Sequence, residues 1–145
     1  MITLQNELKY ICKLLSGSRT IAVVGISRNP NKTSREIADF LVRKNFNVVG
    51  VNPYFGSGDA NGIQIFKSLT DIPFDIDIVD VFRRSEDIPE ITNDVLAKKP
   101  KALWLQEGIR NDDAVGPVID AGIQTIQDRC IAVYYNLCKP FVHGN

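Results

Sequence analysis

The sequence predicts an α/β fold, a doubly wound and mostly parallel sheet of about five strands with helices on both faces. Three observations carry that expectation. Short β-branched runs alternate with segments of helical period along the chain. The runs are nearly continuous in apolar residues, as strands covered on both faces must be. Gly, Pro or Asn closes most of them, where a chain leaving a sheet has to turn. At 145 residues, with 44% hydrophobic and 23% charged, the chain has the size and composition of one globular domain, residues 1–145, with residues 1–18 as a helix packed on it.

The leading helix is amphipathic. Leu4, Leu8, Ile11 and Leu15 fall on one face of a 3.6-residue period, and Thr3 stands where a cap belongs. Its polar face carries only Lys9 and Lys13 as cations, beside Glu7, which is too weak a basic stripe for a membrane surface. Residues 20–24, Thr-Ile-Ala-Val-Val, read as a strand buried on both faces and ended by Gly25. Thr33-Ser-Arg-Glu36 spells a capping box, and the helix behind it carries Ile37, Phe40 and Leu41 up to a stop at Asn45.

Residues 46–51 form a second strand, closed by Asn52-Pro53. The glycine-rich stretch 54–62 reads as a loop, and 63–66 as a short edge strand. A third main strand spans 75–82, with Asp75 and Asp77 at its solvated start and Asp80 as an uncommon carboxylate inside it, read as a strand-end hydrogen-bond acceptor. Ser85 is expected to cap the next helix, with Pro89 in its first turn, where a missing N–H matters least. Residues 102–105 are the fourth strand. Asn111 begins a helix interrupted by Pro117 and ended by Gly122. Residues 125–127 make the fifth strand, and 131–137 a final turn or short helix. Right-handed crossovers through this order give a Rossmann-like arrangement.

Charge and cysteine content narrow the function. Seventeen basic residues balance seventeen acidic ones, so there is no global field for nucleic acid or an anionic membrane. No apolar run approaches the roughly 18 residues of a membrane span, and the N-terminus lacks a signal-peptide pattern. Cys12, Cys130 and Cys138 cannot all pair within one chain, no Cys-x-x-Cys occurs, and a single His leaves no zinc-ligand spacing. The expected address is a reducing cytoplasm, and no metal is expected.

In a sheet of this kind ligands bind beyond the carboxyl ends of the strands, near the point where strand order reverses. The first exit, Gly25-Ile-Ser-Arg-Asn-Pro-Asn-Lys32, approaches the dinucleotide pattern G-x-G-x-x-G, but Ser27 and Pro30 stand in place of the second and third glycines. Gly25 permits the tight turn, and the next helix start can face an anion that Arg28 and Lys32 would neutralise. A plain structural turn is the competing reading. The second exit, Val51-Asn52-Pro53-Tyr54-Phe55, lacks the carboxylate that a nicotinamide dinucleotide site places there for a ribose hydroxyl. The third, Val81-Phe82-Arg83-Arg84-Ser85, puts an aromatic ring and two guanidinium groups at the crevice mouth. The fourth is Leu105-Gln106-Glu107-Gly108-Ile109.

Together I-A-V-V-G-I-S-R-N-P-N-K at 21–32, V-N-P at 51–53, D-V-F-R-R-S at 80–85, L-W-L-Q-E-G-I at 103–109 and D-R-C at 128–130 resemble the small single-domain CoA-binding proteins. These are relatives of the CoA-binding domain of the succinyl-CoA synthetase alpha subunit. The resemblance implies coenzyme A, or an acyl-CoA, as ligand. It places Gly25, Ser27 and Arg28 at the CoA phosphates, and Asn52 and Pro53 beside the nucleotide; Lys32 remains the candidate cation read from the first exit itself. Val81, Phe82 and Arg83 would line the crevice, with Gln106 and Glu107 toward the pantetheine arm. Two departures stand out. The synthetase domain carries a lysine in the glycine-rich segment after its second strand, absent here at 54–58, and its phosphorylated histidine lies in a domain this chain lacks. His143, near the chain end, is a poor substitute.

The expected function is therefore a binding module for a small-molecule CoA ligand, with neither nucleic acid nor membrane as partner and no catalytic residue of its own. A protein partner is not specified by the sequence. Two other readings remain open: an NAD(P)-dependent oxidoreductase-like domain, and a redox-sensing protein that uses CoA and Cys130, whose neighbour Arg129 could lower a thiol pKa.

Overall fold

The computed structural model describes residues 4–55, 58–60 and 62–139. In chain order the elements are α1 (Leu4–Ser16), β1 (Thr20–Val24), α2 (Thr33–Arg43), β2 (Asn47–Val51), β3 (Gly58–Ala60), β4 (Ile63–Phe66), β5 (Ile78–Val81), α3 (Pro89–Lys98), β6 (Ala102–Leu105), α4 (Asp112–Asp120), β7 (Gln124–Ile126) and α5 (Ile131–Cys138). The strands form one sheet in the order β3-β4-β2-β1-β5-β6-β7. Six run parallel, while β3 pairs antiparallel with β4 at the edge.

The doubly wound α/β architecture is as expected, but the sheet has seven strands instead of about five. The extra pairing sits inside the glycine-rich stretch that reads as a loop. There β3 folds back on β4, so β4 is an inner strand rather than an edge. A three-residue strand with Gly and Asp among its members carries almost no propensity signal.

Register follows from burial. Ile21 lies opposite Val48 on one side and Ile78 on the other, and Ile78 opposite Ala102. One face of the sheet packs under α1, α2 and α5, in a core that includes Ile11, Leu15, Leu41, Trp104 and Tyr135. The other packs under α3 and α4 around Val79, Leu103, Val95 and Val118. At the amino edge Asp77 accepts from the Arg19 and Thr20 N–H groups at 2.8 and 3.0 Å. Its burial opposes ionisation, but those donors and Lys101 outweigh it and hold the carboxyl below its usual pKa.

Helix starts differ from expectation in two places. Lys32, not Thr33, is the N-cap of α2, with no side chain in the cap. Ser34 is drawn away instead and accepts a hydrogen bond from the Ser27 N–H. Ser85 does not cap α3. A 3₁₀ turn at Ser85–Asp87 intervenes, Pro89 opens the helix as expected, and the Ser85 hydroxyl takes the Arg110 N–H. Asn45 ends α2 in a left-handed conformation, φ 71°. Asn111 caps α4 through the Ala114 N–H, and that helix runs on through Pro117. Thr3 and His143 lie outside the described residues.

Cys12 on α1 and Cys138 on α5 are joined by a disulfide across 126 residues of sequence, and both are buried. Cys130 is free and half-buried. Spacing gave no hint of this pair, because only the packing of α5 on α1 brings the two together. Among the described residues no helix is long and apolar enough to cross a membrane.

Candidate functional site

The chain leaves β1 for β2 on one side of the sheet and β5 for β6 on the other, so strand order reverses between β1 and β5. Their exits nearly touch. Gly25 has φ +87°, and a Cβ built there would lie 2.5 Å from the Phe82 carbonyl oxygen and 3.3 Å from the Arg83 Cδ. Only glycine fits that turn. The Gly25 N–H donates to the Val51 carbonyl and the Phe82 N–H to the Val24 carbonyl, each at 2.8 Å, so three strand exits are laced by backbone alone.

Beyond Gly25 the chain makes a series of tight side-chain turns. The Ser27 hydroxyl accepts from the Asn29 N–H, and the Asn29 side chain from the Asn31 N–H, both at 3.0 Å. The loop delivers Lys32 to the amino end of the 11-residue α2, where the helix dipole favours an anion. Arg28 lies with its guanidinium carbon 4.6 Å from the centroid of the Phe55 ring, stacked across to the second exit. Among the described residues neither Arg28 nor Lys32 belongs to an ion pair.

Asn52 bridges the same two exits. Its amide nitrogen donates to the Ile26 carbonyl and its amide oxygen accepts from the Tyr54 N–H, each at 2.9 Å. Pro53 beside it is exposed. At the third exit Val81 is wholly buried and its carbonyl takes the Gln106 N–H, so it supports the crevice from beneath. Phe82 is half-buried at the mouth, and Arg83 pairs with Asp87 and Glu90 at 3.6 and 3.5 Å. At the fourth, Gln106 is buried and accepts from the Ile131 N–H, anchoring the start of α5, while Glu107 is exposed.

Gly25, Ser27, Arg28, Asn52, Pro53, Phe82 and Arg83 thus stand at the adjoining exits of β1, β2 and β5, with Lys32 at the amino end of α2. Glu107 joins Phe82 and Arg83 around a neighbouring cavity of about 450 Å³. A second cavity, about 250 Å³, lies at the β2 and β4 exits, where Pro53 and Arg83 meet Lys67 and Ser68. Phe55 closes the second exit, but its sequence position assigns it no role. Two residues here escaped sequence reasoning altogether. Lys67 and Ser68 follow β4, whose exit goes unexamined while β4 is read as a marginal edge strand.

Asp80 stands apart from this chemistry. It is fully buried within β5 between Val23 and Trp104, and neither carboxylate oxygen has a hydrogen-bond partner among the described residues. Burial therefore pushes its pKa well above the ordinary carboxylate value. Its expected role as a hydrogen-bond acceptor is not seen. Cys130 occupies the N-cap position of α5, and the Arg129 guanidinium beside it is engaged by Glu7 and by the Asp128 carbonyl. Among the described residues no group of three or more His, Cys, Asp or Glu is placed to hold a metal ion.

The sequence matches the family model of a CoA binding domain over residues 19–136. It is 34% identical over 137 residues to an uncharacterized protein, YneT, of Bacillus subtilis (strain 168), covering 94% of this chain and 100% of that one. Among solved structures it is similar to cell-free ID.343 from Thermus thermophilus, with 31% identity and a TM-score of 0.87 over 90% of this chain and 98% of that one. It also shares its fold with part of the dinucleotide-forming acetyl-coenzyme A synthetase 1 of Ca. Korarchaeum cryptofilum. That likeness has 19% identity and a TM-score of 0.66, over 78% of this chain and 26% of the synthetase.

Proposed function

Because the chain belongs to the CoA binding domain family, we propose that it binds coenzyme A or an acyl-CoA at the carboxyl ends of β1, β2, β5 and β6. The observation that carries this site is the bare backbone at Gly25, pressed against Phe82 and flanked by Arg28 and Lys32, neither of them in an ion pair among the described residues. A diphosphate can approach such a turn closely, receive backbone N–H groups and the positive end of α2, and have its charge met by both side chains. The Phe55 ring holds the Arg28 guanidinium in place, which lowers the entropy lost when it grips a phosphate.

Asn52 fixes the spacing of the β1 and β2 loops and keeps the second exit free of a carboxylate, which would repel phosphate. Pro53 and Phe82 give apolar surface to the nucleotide. Glu107 stands toward the pantetheine arm, on the cavity it shares with Phe82 and Arg84, while the buried Gln106 anchors the start of α5 beside it. The domain acts as a binding module.

Thermal denaturation with CoA, acetyl-CoA, NAD, NADP or ATP tests this reading, since a ligand specific to the folded state raises the midpoint. CoA or acetyl-CoA should raise it and NAD should not. Stabilisation by NAD or NADP without CoA overturns the proposal.

A further inference from the structure

We infer that the cavity at the β4 exit is a subsite for the 3′-phosphorylated ribose of coenzyme A, with Lys67 as the residue that tells CoA from its dephosphorylated form. The inference rests on the CoA reading above and assigns a specificity within it. β4 runs parallel to β2, Gly50 opposite Ile65 and Val51 opposite Phe66, so both strands open on the same edge of the sheet. The Asn52 N–H donates to the Phe66 carbonyl at 2.9 Å, which fixes the next two residues, Lys67 and Ser68, beside the second exit.

The cavity they border measures about 250 Å³. That is smaller than the roughly 300–1,000 Å³ of a pocket for a whole ligand, so it suits one portion of a larger molecule. Val51 and Pro53 supply apolar surface, and the walls carry opposite charge. Lys67 and Ser68 stand at the β4 exit, whereas Asp94 and Glu90 come from α3, Glu90 paired with Arg83. Arg83 is partly neutralised by Asp87 and Glu90, while Lys67 has no ion-pair partner among the described residues. A phosphate dianion is repelled by the α3 carboxylate and drawn to Lys67. The Ser68 hydroxyl, 3.2 Å from the Thr70 hydroxyl, can accept from Thr70 and donate to a phosphate oxygen. Ribose or adenine donors then face Asp94. A nucleotide phosphorylated on its ribose uses both walls. Lys67 supplies a cation beside the second exit, where the 54–58 segment has none.

The test is calorimetric titration of the full chain with CoA and with dephospho-CoA, for the parent and for Lys67→Gln. The parent should prefer CoA by about 10- to 100-fold, the worth of a charge-assisted contact. In Lys67→Gln that ratio should fall to within about threefold, with dephospho-CoA affinity unchanged. Equal affinity of the parent for both ligands overturns the subsite and leaves the CoA reading standing. A preference that survives in Lys67→Gln overturns the assignment to Lys67. A parent that binds neither ligand removes the CoA reading and the subsite with it.

Discussion

Gly25 and Phe82 approach so closely that a β-carbon on the glycine would lie 2.5 Å from the Phe82 carbonyl oxygen. That contact joins the exits of β1 and β5 at the point where strand order reverses, and it leaves no side chain between a ligand and the backbone. Gly25→Ala must both adopt a left-handed conformation and displace the β5 exit. It should cost about 1–3 kcal/mol of stability from backbone strain. CoA affinity should fall at least about tenfold at temperatures where the variant stays folded. Denaturation and calorimetry together check this, and normal CoA binding by a folded Gly25→Ala protein would show that the turn is only structural.

Arg28 spans the first two exits by stacking on Phe55. If its guanidinium takes a phosphate, Arg28→Ala should weaken CoA binding by about 1–3 kcal/mol. Because Arg28 is exposed, the thermal midpoint of the free protein should hardly move. Titration of CoA into parent and variant at two salt concentrations is the measurement. An unchanged affinity makes Arg28 ordinary surface charge.

Much of this was legible in the residues themselves. The central strands β1, β2, β5 and β6 announce themselves because buried parallel strands need uninterrupted β-branched residues, and their exits follow from the glycine, proline and arginine that end them. β3 was not legible, since Gly-Asp-Ala carries almost no strand propensity and its pairing with β4 cannot be seen in the local sequence. The exit of β4, with Lys67 and Ser68, was hidden with it. The caps expected at Thr33 and Ser85 were misplaced, because a local pattern cannot show that α2 starts from Lys32 without a side-chain cap or that the Ser85 hydroxyl is taken by the Arg110 N–H. Asn52 was legible as a site residue, but not its role in bridging the Ile26 carbonyl and the Tyr54 N–H.

Asp80 should make stability depend on pH in an unusual direction. Burial raises its folded pKa above the unfolded value of about 3.9. The native protein keeps a proton that the unfolded chain releases, so its contribution is fully present below that unfolded pKa. It is lost as pH rises through the folded value, at about 1.4 kcal/mol per pH unit within the window. Asp80→Asn removes the titration. The difference in stability between variant and parent should therefore shift in favour of the variant between pH 4 and pH 7. A difference that does not change with pH would mean that the carboxyl is ionised and partnered in solution.

The Cys12–Cys138 bond closes a loop of 126 residues and ties α1 to α5. Loops of that length place its contribution at about 2–5 kcal/mol. Urea denaturation should show that loss on adding a dithiol reductant, and the same loss in Cys138→Ser without reductant. Thiol titration of the unreduced, unfolded protein should count Cys130 alone. A count of three thiols, or a midpoint indifferent to reductant, contradicts the pairing.

CoA binding at the strand exits is tested most directly by following backbone amide resonances of the isotope-labelled protein during titration with CoA. The predicted result is saturable perturbation concentrated at residues 25–32, 52–55, 67–68, 82–85 and 106–109, with the α1 and α4 surfaces silent. Perturbation centred on α1 and α4, or none at CoA concentrations up to the millimolar range, would contradict it.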